Sequence, residues 1–119
     1  MLKMRQAQMD AFSESLERAF FRRMFVHLRG DFPAEVASLG LDDAALEAMI
    51  HRGIGEARGY GVVHEPDVEL YLECMVLLGP DFDRRIDWCA ATLRDQTLDG
   101  GKKMDAINDH LLFGGEAPR

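Results

Sequence analysis

The sequence predicts an all-α protein, a compact bundle of about five helices wrapped around one buried helix near its middle. Three observations carry that expectation. Apolar residues recur at three- and four-residue spacing along most of the 119 residues, the period that lines one face of an α-helix. No alternating run rich in Val, Ile or Thr, the pattern of a strand, is present. Gly, Pro and Asp fall where helices start and stop, with short connections between them.

The first predicted helix spans about Met4 to Arg29, with Met9, Phe12, Leu16, Ala19, Phe20 and Met24 on one face. Gly30 and the Phe32-Pro33 pair end it, because a residue before proline is pushed out of the helical region. A short turn follows, Ala34 to Leu39, opened by Pro33 and closed by Gly40. Asp42 or Asp43 is then an N-cap, opening a helix with Leu46, Met49, Ile50, Gly53, Ala57 and Tyr60 on one side. Gly59 or Gly61 stops it, and Gly53 on its packed face points to a close helix crossing. Gly55 points the other way and has no evident purpose in the sequence.

The next helix, about Pro66 to Leu78, is apolar around nearly its whole circumference, interrupted only by Asp67, Glu69 and Glu73. Such a helix belongs at the centre of a domain or beneath a partner. Gly79-Pro80 ends it. Asp83 is expected to cap a fifth helix reaching about Asp95, with Ile86, Cys89, Ala90 and Leu93 inward and Phe82 plugged into the core. A last helix after Asp99-Gly100-Gly101 presents Met104, Ile107 and Leu111 before Gly114-Gly115. One domain therefore fills 1–119: a long first helix, a body over 33–113 and a frayed tail over 114–119.

Composition narrows the function. The longest apolar stretch, Cys74 to Leu78, is far short of the roughly 20 residues of a membrane span. The N-terminus has charges but no apolar block behind them, so no secretory signal is read there. Cys74 and Cys89 sit among apolar neighbours and read as core residues in a reducing compartment, which points to the cytoplasm.

A formal charge of −7 argues against a nucleic-acid partner. Its distribution says more. Residues 1–29 hold six Lys/Arg against three Asp/Glu, residues 31–83 hold two against twelve, and residues 84–119 hold six of each. The simpler meaning is intramolecular, a basic helix lying across an acidic body. The other is an acidic surface for a basic partner.

No catalytic, cofactor or metal motif stands out. His27, His51, His64 and His110 lie on different segments without metal-ligand spacing, and His27 and His51 are expected near helix C-termini as capping or solvated groups. The glycines from Gly53 to Gly61 fit no phosphate-cradling pattern. Asp81 and Asp83 form a paired-carboxylate loop, which with the nearby histidines is the only basis for an enzymatic reading. With chemistry set aside, apolar residues off the packing faces become informative: Phe21, Phe25 and Leu28 on the first helix and Trp88 on the fifth. They are candidate contacts for a protein partner.

Several segments also carry a resemblance. The order Gly53-Ile54, Ala57-Arg58-Gly59-Tyr60-Gly61, Glu65-Pro66-Asp67-Val68, Leu70-Tyr71, Leu78-Gly79-Pro80-Asp81-Phe82-Asp83 and Trp88 resembles small helical accessory proteins of bacterial type VI secretion loci, over roughly residues 46–112. That resemblance implies a chaperone or co-chaperone that holds an effector or its adaptor before secretion. The alternative it implies is an immunity protein that neutralises a cognate toxin. It brings no active-site residue and leaves the oligomeric state open.

Overall fold

The computed structural model describes residues 2–113, with side chains over 17–113. Seven helices and no strand occur among them: α1 (Leu2–Asp31), α2 (Pro33–Ser38), α3 (Asp43–Gly59), α4 (Glu65–Leu78), α5 (Phe82–Arg85), α6 (Asp87–Leu93) and α7 (Gly100–Leu112). The predicted tail, 114–119, lies outside the described residues, as do the side chains of Met9, Phe12 and Leu16.

Local chemistry sets most boundaries. The Asp42 carboxylate accepts from the Ala45 N–H at 2.8 Å, the N-cap that starts α3. At its other end, Val62 N–H bonds to the Ala57 carbonyl and Gly61 N–H to that of Arg58. Gly61 takes a φ of +84°, completing the Schellman geometry that only glycine adopts cheaply. Pro66 lies in the first turn of α4, where its missing N–H costs nothing.

The predicted fifth helix is two. Ile86 is extended (φ −100°, ψ 112°) and separates α5 from α6. Arg85 causes much of this, because its guanidinium donates to the Leu78 carbonyl and to Asp81, tying the α5 turn to the end of α4. Asp83 does not cap a helix. It is 2% exposed and accepts from the Tyr60 hydroxyl at 2.7 Å.

The central position of α4 is as expected: it contacts α1, α2, α3, α5 and α7. Val68, Tyr71, Leu72, Cys74, Met75 and Val76 are buried along it. The burial is not all-round, since Leu77 is 47% exposed. Gly53 marks the crossing of α3 over α4. A Cβ there would fall 2.5 Å from Leu72 Cδ2 and 2.6 Å from Met75 Sδ. Phe82 is fully buried against Tyr71, ring centroids 5.0 Å apart, as the sequence predicts. Cys74 and Cys89 are buried free thiols.

The start of α7 carries a contact that the sequence hides. A Cβ on Gly100 would lie 2.2 Å from the Gly61 carbonyl oxygen, so helix and turn meet backbone to backbone. Beside it the nearly buried Lys103 donates to the Tyr60 carbonyl at 2.8 Å, a cation placed on the exposed carbonyls ending α3. The charge split is met inside the molecule as well. Arg23 of α1 pairs with Glu65 at 2.9 Å and Arg29 faces Asp43, while His27 meets Glu73.

Candidate functional site

The sequence-predicted contact residues separate into three environments. Leu28 is fully buried with Phe20 and Met24, so it belongs to the core and drops out of any partner surface. The helical wheel explains this: each i+4 step advances about 40° around the axis, so Phe20, Met24 and Leu28 walk the buried stripe round toward Phe21. The same rotation leaves Ala19 and Val26 on the open side, Val26 at 66% exposure. Trp88 is half-buried and stacks on the imidazole of His110, ring centroids 3.6 Å apart, joining α6 to α7.

Phe21 and Phe25 remain together. Both are half-buried, one helical turn apart, and both line a groove of about 550 Å³ between α1 and α3. Its other walls are Glu17, Arg18 and Arg22 from α1 and Glu47 and His51 from α3. His51 stands in the middle of α3 rather than at its C-terminal end. Its ring stacks on Phe21 with centroids 4.2 Å apart and planes 18° from parallel. The Arg29 guanidinium lies 5.5 Å from the Phe25 centroid and closes that end of the aromatic pair. Arg22 is exposed and makes no ion pair among the described residues.

The Asp81/Asp83 pair is not a matched pair of acids. Asp81 is bound by Arg85 at 3.2 Å, and that hydrogen bond holds its carboxyl below the usual carboxylate range. Asp83 turns inward to Tyr60. Burial raises the Cys74 and Cys89 thiols to about 12 and about 11, away from nucleophilic use.

His27 is neither solvated nor a cap. Nε2 lies 2.6 Å from Glu73 and 3.6 Å from Glu69, and Nδ1 lies 3.1 Å from Asp31. The hydrogen bond to Glu73 raises its pKa, against a smaller opposing effect of burial. Nothing in the sequence spacing foretold this cluster, because its members come from two helices some 40 residues apart. Only its i,i+4 halves, His27/Asp31 on α1 and Glu69/Glu73 on α4, lie close in the sequence.

No helix among the described residues is long and apolar enough to cross a membrane. No protein-family description matches the chain, and neither do curated proteins or solved structures.

Proposed function

We propose that this chain is a non-catalytic accessory protein that holds a partner through the α1/α3 groove, as a chaperone or co-chaperone for a type VI secretion effector or its adaptor. The observation carrying the reading is the groove itself: two aromatic rings one turn apart, half-buried on a pre-ordered helix pair, with arginines along one edge. An aromatic floor of this kind suits the apolar face of an amphipathic helix, whose anchors repeat at i, i+3 and i+4. Arg18 and Arg22 on the α1 edge favour Asp or Glu on the flank of that helix lying beside them, and Glu47 on the α3 edge favours Lys or Arg on the opposite flank. The sequence resemblance of residues 46–112 supplies the biological setting.

Co-purification with the products of neighbouring reading frames tests the proposal. A complex with an effector or adaptor that Arg22→Glu weakens at least tenfold supports it. A complex indifferent to Arg22→Glu and Phe21→Asp places the contact elsewhere and refutes the groove. A secretion assay separates the roles, since a chaperone is required for export and does not protect a bystander cell. Protection of the bystander instead identifies an immunity protein.

A further inference from the structure

On the helix pair α1/α4, one imidazole faces three carboxylates, a convergence the groove does not use. His27 Nε2 points between Glu69 and Glu73, and one donor atom from each of the three residues lies within 4.8 Å of the others. Its second nitrogen, Nδ1, is held by Asp31 at 3.1 Å. From this geometry we propose that His27, Glu69 and Glu73 form a binding site for one Zn²⁺ ion, with Asp31 positioning the imidazole.

Four features support the assignment. First, the donor set is right: one imidazole nitrogen and two carboxylates on a half-open face leave a fourth position for water, as in three-ligand zinc sites. The imidazole makes the hard, oxygen-preferring cations Mg²⁺ and Ca²⁺ poorer matches than zinc. Second, Asp31 supplies the outer carboxylate that metal-binding histidines ordinarily keep on their other nitrogen, fixing which nitrogen faces the ion.

Third, the scaffold is rigid. Glu69 and Glu73 stand one turn apart on the most enclosed helix, and His27 is flanked by the buried Leu28 on α1. Zinc at 2.0–2.1 Å from each donor needs donor atoms about 3.3 Å apart in a tetrahedron. The observed 2.6 Å contact would open by about 0.7 Å and the 3.6 Å contact close by about 0.3 Å. Side-chain torsions of partly exposed glutamates absorb both changes.

Fourth, the charges do not balance without a cation. Even a protonated imidazole offsets only one of three carboxylates. No Lys or Arg among the described residues lies within ion-pair distance of Asp31, Glu69 or Glu73. A divalent ion on the neutral imidazole lowers that excess from two negative charges to one and links α1 to α4 at the same time.

Calorimetric titration of the chelator-treated full chain with ZnCl₂, paired with thermal melts, tests the site. The expected result is saturable binding of one ion per chain and a higher melting temperature. His27→Gln and Glu69→Gln should each weaken binding at least tenfold, and Asp31→Asn by about tenfold. Glu69 is the most exposed ligand, so Glu69→Gln keeps the test decisive if His27→Gln disturbs folding. His51→Gln and His64→Gln should bind as the parent does. Equimolar MgCl₂ or CaCl₂ should not compete. The proposal is overturned by the absence of saturable zinc binding, by binding unchanged in Glu69→Gln and His27→Gln, or by binding that follows His51 or His64 instead.

Discussion

Adding a single methyl group should stabilise the protein at Gly55 but not at Gly53. Both glycines lie inside α3, two residues apart, and both cost that helix roughly 1 kcal/mol relative to alanine. At Gly55 a new Cβ meets nothing within 4 Å, so Gly55→Ala should stabilise by about 0.5–1 kcal/mol. At Gly53 the same Cβ falls 2.5 Å from Leu72 Cδ2 and 2.6 Å from Met75 Sδ, where carbon contacts normally sit near 3.5–4 Å. Leu72 and Met75 are both fully buried, so neither retreats into solvent. Overpacking of this kind costs about 1–3 kcal/mol. That cancels or exceeds the helical gain, leaving Gly53→Ala neutral to about 2 kcal/mol destabilised. Urea unfolding followed by circular dichroism reads the difference. With a slope of about 2 kcal/mol/M, a stability difference of about 0.5–3 kcal/mol should separate the two midpoints by roughly 0.3–1.5 M. Equal upward shifts in both variants would refute the close crossing of α3 over α4.

Three further outcomes follow from the interior. Tyr60→Phe removes the hydroxyl that Asp83 accepts from, leaving a buried carboxylate without a donor, and should cost about 1.5–3 kcal/mol in a thermal or urea melt. Adding Asp83→Asn should recover part of that loss, and a fully additive double variant would show that the two groups do not interact. Ultraviolet titration should find neither of the two tyrosines ionising near pH 10. Burial raises both, and Tyr60, further raised by its bond to Asp83, reaches about 12. Because the folded pKa is the higher one, this stabilisation is complete below pH 10 and is lost as pH rises toward 12. A phenolate signal at pH 10 with helicity intact would contradict it. At pH 8 a thiol reagent should label Cys74 and Cys89 much more slowly in the folded chain than in urea, and fast labelling of the folded chain would place a thiol at the surface.

The fold class and most helix ends were legible because they rest on local chemistry. Asp42 caps, Gly61 turns left-handed and Pro66 opens a helix through contacts with residues a few positions away. The Gly53 crossing was legible too, since a bare glycine on an apolar face has few other purposes. What stayed hidden depends on distant partners. Nothing near Ile86 announces the break between α5 and α6, which follows from Arg85 reaching back to Leu78 and Asp83 reaching Tyr60. Leu28 was misplaced because the apolar stripe was centred on Met9 to Met24, whereas the buried face rotates with each i+4 step. Of the contact candidates, Phe21 and Phe25 fall together on one groove, while Trp88 is tied to His110 on another face. The imidazole–carboxylate cluster needs α1 and α4 side by side before it exists at all.

The claim on which the functional account turns is that Phe25 belongs to a surface a partner uses rather than to the core alone. Phe25→Asp tests it with two readings on one variant: circular dichroism of the free chain, and affinity for whichever neighbouring gene product the co-purification experiment recovers with the parent. The account predicts unchanged helicity and cooperative melting, with affinity lowered at least tenfold. A free chain that unfolds, or a variant that binds as tightly as the parent, would contradict it.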